Sequence, residues 1–533
     1  MEAQAPPTPS PERDLPTLLR REVRLLESVL FRVLREDAEP GLVADVERLR
    51  AATIALREEP TPQRRAEVVD IVASFDLEHA EAVARAFTLY FQLINLAEEH
   101  HRIHDLRETG RDEVPLHESI ASAVAAVREW EGEAGLTALL ERLEITPVLT
   151  AHPTEARRRA VVEAVERIAG LIARLDDPRL SRPEEDEIER RLLEEVATLW
   201  KTDQLRPQRP TPLDEVRAVM ALFDETIFRV APAVYRALDR ALDPDGTGRR
   251  PPALRPFLRW GSWVGGDRDG NPSVTPEVTR EAAAIQADHV LRGLENVTRR
   301  VSRAVSCSDR DTPLSEALLK VLDEDEQVFP DAAEALRTRM GDQSHRRMLI
   351  LIAERIAATR GGAHGAYARP EELVEDLRLV QRSLEDGGAA RLAFGELQHL
   401  VWQAQTFGFH LASLEVREHS DVLSRILDEL APGVVEDVNQ LNALATQGWR
   451  EGTAPTTDEA SLVLETFRTM ADIQGRYGPD ACRRYVVSFT RTAADVAAVR
   501  ALARLAVPDG SLVLDVVPLF ESYDALAAAP RIL

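Results

Sequence analysis

The segment 259–276 joins an apolar, β-prone run directly to glycines and to the charged sequence Asp-Arg-Asp. A buried strand that ends this way delivers polar side chains to a pocket. Gly265 and Gly266 let the backbone turn sharply and approach a ligand, and the charges after them suit the binding of anions. The alternative is an ordinary Asp-Gly-Asn-Pro surface turn, although the two flanking tryptophans are rarely found on open loops.

His152 is the candidate general acid or base. It lies in the sequence Thr150-Ala-His-Pro-Thr-Glu155, after an apolar run and before an arginine-rich helix. Pro153 and Thr154 can begin a helix whose free amide groups face an anion, and an imidazole beside that end can exchange a proton near neutral pH. The alternative is a histidine with a purely structural role.

Arg417 is the candidate anion-binding residue. It ends the alternating apolar sequence 407–419, and a buried strand can direct its guanidinium at a phosphate or carboxylate so that two parallel hydrogen bonds form. The alternative is an arginine that only pairs with Glu415 or Glu418. The residues themselves do not decide between these two interpretations.

Glu521 is the candidate metal ligand. It follows the strongly apolar run 512–520 and can hold a divalent metal ion through one carboxylate oxygen. An equal alternative is a helix that is capped by Ser522, with Glu521 as an ordinary neighbour. The glycine-rich sequence 360–365 lacks the lysine and the preceding strand of a phosphate-binding loop, so we expect a plain connector there.

Five short apolar or β-branched runs must position these side chains within a chain that otherwise reads as amphipathic helix. Because helices separate the runs, we expect parallel strands, and four of the five runs end in reactive residues. The predicted fold is predominantly α with a partial parallel β/α barrel of the TIM type, in which five of eight strands are present with long helical insertions. The predicted strands are 145–151, 257–264, 409–416, 485–489 and 512–520, and clear helical periodicity covers 15–35, 66–99, 184–201 and 373–383.

Composition excludes several classes of protein. The 533 residues carry a formal net charge of -25, which argues against nucleic acid or an anionic membrane surface as a partner. Two cysteines cannot build a disulfide framework, and no stretch approaches 18 apolar residues. We therefore expect a soluble protein of the cytoplasm that acts on a small anionic substrate in a local basic pocket.

The predicted organisation has three parts, with two further linkers where proline, glycine and threonine accumulate. A disordered N-terminus and an N-terminal helical region precede the partial barrel. The predicted ranges are 1–12 for the disordered segment, 13–144 for the helical region, 145–533 for the barrel, about 152–256 and 277–405 for its insertions, and 243–252 and 447–457 for the linkers.

Taken as a set, these motifs resemble those of phosphoenolpyruvate carboxylase. The resemblance covers nearly the whole chain from about Leu15, and the His-Pro-Thr-Glu and Gly-Gly-Asp-Arg-Asp-Gly-Asn-Pro sequences are specific together. The matching segments are Asn95-Leu-Ala-Glu-Glu99, Val148-Leu-Thr-Ala-His-Pro-Thr-Glu155, Trp200-Lys-Thr-Asp203, Arg209-Pro-Thr-Pro-Leu-Asp-Glu215, Ser262-Trp-Val-Gly-Gly-Asp-Arg-Asp-Gly-Asn-Pro272, Leu414-Glu-Val-Arg417 and Val516-Val-Pro-Leu-Phe-Glu521.

The resemblance implies that phosphoenolpyruvate and bicarbonate are joined to give oxaloacetate and phosphate, with Mg²⁺ or Mn²⁺ as the cofactor. It implies that His152 assists proton transfer at the carboxyphosphate stage, that Arg417 binds the phosphate, that Glu521 is a metal ligand and that Trp263 lines the bicarbonate pocket. We also expect Arg268, in the same motif as Trp263, to bind substrate. The full-length family member is expected to be a homotetramer.

The chain departs from the family pattern in two respects. The usual Leu-Asp-x-Arg-Gln sequence is Leu414-Glu-Val-Arg-Glu418 here, which places another negative charge next to Arg417 in the sequence. The chain matches only about the first three fifths of the family's length, so we expect an N-terminal part that is inactive alone. The alternative is a truncated, non-catalytic helical scaffold or binding protein.

Overall fold

The computed structural model describes residues 16–110, 116–150, 158–203 and 210–533. The predicted disordered segment 1–12 lies outside these residues. The chain divides into two compact units, the first formed by 1–117 with 153–209 and the second by 118–152 with 210–533. Both consist mainly of helices, as the amphipathic periodicity predicts.

Helices account for most of the described residues. They are, in chain order, α1 (Thr17–Asp37), α2 (Leu42–Glu58), α3 (Pro62–Ala73), α4 (Leu77–Thr109), α5 (Ile120–Arg142), α6 (Arg159–Leu175), α7 (Arg182–Lys201), α8 (Pro212–Leu222), α9 (Phe228–Leu242), α10 (Pro276–Ala304), α11 (Glu316–Val328), α12 (Pro330–Met340), α13 (Ser344–Gly361), α14 (Pro370–Asp386), α15 (Ala390–Ala393), α16 (Glu396–Phe407), α17 (Ser420–Leu430), α18 (Val438–Gln447), α19 (Asp458–Tyr477), α20 (Ala493–Ala506) and α21 (Tyr523–Ile532). A short π-helix, Phe223–Ile227, connects α8 to α9.

The strands are short, and those in the described part of the chain all lie in the second unit. They are β1 (Val148–Leu149), β2 (Gly261–Ser262), β3 (Ser413–Leu414), β4 (Val416–His419), β5 (Arg484–Ser488) and β6 (Asp515–Pro518).

The first unit packs α1, α4, α6 and α7 around one apolar core. Leu26, Leu30 and Leu34 recur at four-residue spacing on α1 and are fully buried, which is the pattern of a helix with one face against a core. The single helix predicted over 66–99 is wrong, because the structure has two helices there. Asp76 begins the second, since its carboxylate accepts a hydrogen bond from the His79 backbone N–H at 2.8 Å.

The second unit contains a parallel arrangement of all five predicted strand regions. Strand β2 lies between β1 and β3, while β5 lies between β4 and β6. Only Glu415 separates β3 from β4, and a parallel bridge between Asp267 and Arg417 continues the pairing past it. Apart from β5, which has the predicted length of five residues, the strands are shorter than predicted, and those of the described residues form two three-stranded sheets without a closed barrel.

Large aromatic side chains fill the core beside these sheets. Tyr235, Trp402 and Phe407 are fully buried, and the Tyr235 hydroxyl hydrogen-bonds with Thr406 and accepts from the Leu258 N–H. The two units divide the chain at positions other than the predicted 144, since α5 belongs to the second unit, while in the first unit α7 packs against α1 and α6 packs against α4 and α7.

Two smaller expectations can be compared directly with the structure. Gly362 caps α13 in the left-handed conformation with φ 64°, so in the glycine-rich sequence 360–365 the first two residues end the helix and the rest form the predicted connector. None of the described helices is both long enough and apolar enough to cross a membrane.

Candidate active site

The carboxyl ends of the parallel strands bring the charged residues of three loops together. The loop after β2 adjoins the first half of β4, where the Arg268 N–H donates to the Arg417 carbonyl at 3.0 Å and the Arg417 N–H donates to the Gly266 carbonyl at 3.1 Å. The segment after β6 carries Glu521. Polar side chains at this edge of a parallel sheet are typical of an active site.

Two glycines make the loop after β2 possible. Gly265 has φ +91°, a left-handed conformation that residues with a side chain rarely adopt. Gly266 passes so close to the next strand that an added Cβ would collide with the carbonyl group of Glu415. The predicted sharp turn and close approach are therefore observed, although the backbone of Gly266 approaches that of Glu415 and not a ligand.

Arg417 lies at the centre of the site. Its Nε and Nη2 atoms donate to the two carboxylate oxygens of Asp267 at 2.7 and 2.9 Å, and its Nη1 lies 3.6 Å from Asp269 and 3.9 Å from Glu521. The guanidinium carbon lies 4.8 Å from the centre of the Trp263 ring, a cation–π contact. The site thus combines a bidentate ion pair with an aromatic wall.

The charges of the site are unbalanced, because three carboxylates surround one guanidinium. Burial alone would lower the pKa of Arg417, but the hydrogen bonds to Asp267 and the charges of Asp269 and Glu521 outweigh it and raise that pKa. Asp269 also accepts a hydrogen bond from the Ser488 hydroxyl at 2.8 Å. The site therefore carries excess negative charge that a cation would offset.

The partners of Arg417 are not the ones that the sequence alternative named. Glu415 accepts from Trp263 Nε1 at 2.8 Å and from Arg484 at 3.0 Å, while Glu418 lies 3.8 Å from Arg268. Alternation along β4 explains this for Glu418, since neighbouring residues face opposite sides of the sheet, whereas Glu415 is already bonded to Trp263 and Arg484. The additional negative charge of Glu418 is therefore paired on the other face from Arg417, and burial raises its pKa.

Arg268 faces away from the carboxylates around Arg417. Its guanidinium contacts Glu418 and donates to the hydroxyl of Thr466 on α19, and its side chain is only 10% exposed. These contacts fasten the loop to a helix, and no finding tests the predicted role of Arg268 in substrate binding.

Glu521 lines a cavity of about 170 Å³ together with His419, Phe489 and Arg491. Ser522 caps α21 by accepting from the Ala525 N–H at 3.1 Å, so the predicted cap exists beside a carboxylate that also faces Arg417. Carboxylate oxygens are the ligands that Mg²⁺ and Mn²⁺ prefer. Glu521, Asp267 and Asp269 all lie near the Arg417 guanidinium, and their carboxylate oxygens are donors of the kind that such an ion prefers.

His152 lies outside the described residues, so its predicted role stays a prediction. Sequence reasoning missed other members of the site. Ser488 ends β5 without any motif to signal it, and Phe489 has a left-handed φ of 52° while its ring stacks on His419 at 4.7 Å. Asp267 and Asp269 are two residues apart in the sequence, and in an extended backbone this spacing predicts that both side chains lie on the same face.

Comparison with known proteins gives one consistent result. A model of the family described as phosphoenolpyruvate carboxylase matches residues 19–533. The phosphoenolpyruvate carboxylases of Xanthomonas campestris pv. campestris and Roseiflexus castenholzii are each 34% identical to this chain, over 95% and 99% of its length. That of Synechococcus sp. is 29% identical over 97% of the chain. The chain spans 57%, 59% and 56% of the length of these three relatives.

Proposed function

The chain belongs to the phosphoenolpyruvate carboxylase family, and from this premise we propose that its strand ends take part in carboxylating phosphoenolpyruvate with bicarbonate. The products are oxaloacetate and phosphate. The observation that carries the proposal is the position of Arg417, which stands at the carboxyl edge of the sheet among Asp267, Asp269, Glu521 and Trp263.

In the proposed reaction, an oxygen of bicarbonate attacks the phosphorus of phosphoenolpyruvate, and the bond to the enol oxygen breaks. This step gives carboxyphosphate and the enolate of pyruvate. Carboxyphosphate then yields carbon dioxide and phosphate, and the enolate carbon attacks carbon dioxide to form oxaloacetate. Each step develops negative charge on oxygen, so fixed positive charge near these oxygens lowers the barrier.

The side chains of this chain have separable tasks in the proposal. Arg417 exchanges its carboxylate partner for the substrate phosphate, which can accept the same two parallel N–H bonds that Asp267 accepts in the structure. Trp263 keeps the guanidinium in place and bounds the bicarbonate pocket. His152 holds or releases the proton that leaves bicarbonate, as the family resemblance implies.

Glu521 would hold Mg²⁺ or Mn²⁺, with Asp267 and Asp269 near enough to Arg417 to share in the balance of charge. When bound, such an ion would supply a Lewis acid for the phosphate and enolate oxygens. The excess of carboxylates around Arg417 supports this assignment, because an anionic substrate alone would be repelled from them.

One experiment tests the proposal at two levels. Isothermal titration should show that the 533-residue chain binds phosphoenolpyruvate with Mn²⁺ present, and that Glu521→Gln weakens this binding at least tenfold. Coupled assay of oxaloacetate then tests turnover, and the expected result is binding without turnover of this chain alone. The matched control is Glu459→Gln, an exposed carboxylate that pairs with Arg425.

Two results would contradict parts of the proposal. Bicarbonate-dependent turnover by the chain would overturn the expectation that it is inactive alone. Absence of binding by a cooperatively folded chain would overturn the substrate assignment and favour the scaffold alternative. The homotetramer expected for the full-length protein stays a prediction.

A further inference from the structure

A histidine between two carboxylates lies in the first unit, which contains none of the strand-end residues named above. The Nδ1 atom of His100 is 2.8 Å from Glu22 Oε1, and its Nε2 is 3.1 Å from Asp176 Oδ2. One potential ligand atom from each residue lies within 4.8 Å of those from the other two. The three residues come from α1, from α4 and from the C-cap of α6.

The second carboxylate oxygen of Glu22 has no partner. Glu22 is 6% exposed and His100 is 8% exposed, and Glu22 Oε2 is buried without any hydrogen bond. A buried carboxylate oxygen in this condition costs free energy, because it has lost water without gaining a donor. Burial is the largest influence on Glu22 and raises its pKa, even though the hydrogen bond to His100 lowers it.

The donor set selects among cations. One imidazole nitrogen with two carboxylate oxygens suits first-row transition metals, whereas Mg²⁺ prefers oxygen ligands alone. With the imidazole neutral, the two carboxylates leave two negative charges that one divalent cation would neutralise. Asp176 is 31% exposed, so an ion has a route from solvent to the buried pair.

We propose that Glu22, His100 and Asp176 bind a divalent transition-metal ion, and that Zn²⁺ binds there in preference to Mg²⁺ because one of the donors is an imidazole nitrogen. The site would join three helices of the first unit and would be independent of the carboxylation chemistry. The competing arrangement is a proton bridge, in which a charged imidazole donates to both carboxylates and no metal binds.

The test uses the full chain, stripped of metal by a chelator. Co²⁺ is added while its visible absorption is followed, and Zn²⁺ affinity is measured by competition with a chromophoric chelator. The expected results are one equivalent bound tightly when millimolar Mg²⁺ is present to compete for the oxygen donors at Glu521, protons released on binding, and a melting temperature that rises with Zn²⁺ concentration. Millimolar Mg²⁺ should not displace the ion.

Variants locate the ion. Glu22→Gln preserves the shape of the side chain and Asp176→Asn changes a partly exposed group, and each should weaken Zn²⁺ binding at least tenfold. His104→Gln on the same helix is the matched control, because His104 is 3.9 Å from Glu108 and lies outside the cluster. Glu521→Gln should leave Zn²⁺ binding unchanged, which separates this site from the proposed active site.

Clear outcomes overturn the inference. Failure of the stripped wild-type chain to bind one equivalent, or unchanged affinity in both cluster variants, would leave only the proton bridge. Circular dichroism checks folding, and if Glu22→Gln unfolds, the more exposed Asp176→Asn decides the question.

Discussion

Protein side chains hold Arg417, the proposed phosphate-binding residue, in a fixed position in this structure. Asp267 occupies both N–H directions that a phosphate would use, and Trp263 restricts the guanidinium plane. A substrate must therefore replace an existing ion pair, which favours a dianionic group over a single carboxylate.

Arg417→Lys should weaken phosphoenolpyruvate binding by about tenfold or more, because lysine keeps the charge but cannot make two parallel bonds. Titration calorimetry with Mn²⁺ present measures the effect. Arg425→Lys is the control, since Arg425 is exposed and pairs with Glu459 at 2.7 Å. Equal affinities of the two variants would contradict the role of Arg417.

Trp263→Phe should lower the free energy of unfolding by roughly 1–2 kcal/mol, because it removes the bond from Nε1 to Glu415, which is 5% exposed. Arg484 would remain as a partner of Glu415. Urea unfolding measures the change. The control is Trp130→Phe at a side chain that is 77% exposed, where we expect less than about 0.5 kcal/mol. A loss of the same size in both variants would refute the prediction.

At the scale of the elements, the loop after β2 depends on its contact with the strand that bears Arg417. Gly266 N–H also donates to the Trp263 carbonyl at 2.9 Å, which closes the turn. The position of this loop fixes Asp267 against Arg417.

Gly266→Ala should destabilise the second unit by roughly 1–3 kcal/mol, because the new methyl group overlaps the carbonyl of Glu415. It should also weaken phosphoenolpyruvate binding as the loop is displaced. Thermal unfolding and calorimetry check both effects. Gly475→Ala, in α19 with open space around it, should instead be neutral or stabilising by up to about 1 kcal/mol. Destabilisation by both variants to the same extent would show that the contact with Glu415 is not the cause.

Sequence reasoning located every strand region but not the strand lengths. The apolar runs and their charged ends are local signals, so β2, β3, β5 and β6 and the placement of Arg417 and Glu521 at one edge were predictable, whereas the continuation of the third run as β4 was not. The partners were not, because the choice between Asp267 and Glu415 depends on the long-range bridge that brings Asp267 beside Arg417, and on Trp263 and Arg484, which bond Glu415. The break before α4 was missed because the helical spacing of apolar residues continues through the position of Asp76.

At the scale of the whole molecule, buried carboxylates make stability depend on pH. Burial raises the pKa of Asp325 from 3.8 to about 6, with Arg355 the largest opposing influence. Its Oδ2 atom is buried without a hydrogen bond. The folded chain holds this proton more tightly than the unfolded chain, so the stabilising contribution is complete below about pH 4 and is lost as the pH rises through 6.

Asp325→Asn should therefore be more stable than the wild type at pH 8, by on the order of 2 kcal/mol, and the difference should shrink towards pH 4.5. Urea unfolding at several pH values measures this. The exposed Asp323→Asn, two residues away, is the matched control for the loss of a carboxylate at the surface. A constant difference between Asp325→Asn and the wild type at every pH would contradict the assignment.

Arg268 belongs to two elements at once. Its main-chain N–H is bonded to Arg417 in β4, while its guanidinium holds Thr466 in α19. Amide hydrogens secured in this manner exchange with deuterium only when the surrounding structure opens. The amides of Arg268 and Arg417 should therefore exchange at the same rate, and local opening of α19 should set that rate. A helix that is distant in sequence would then control how often this part of β4 becomes exposed to solvent.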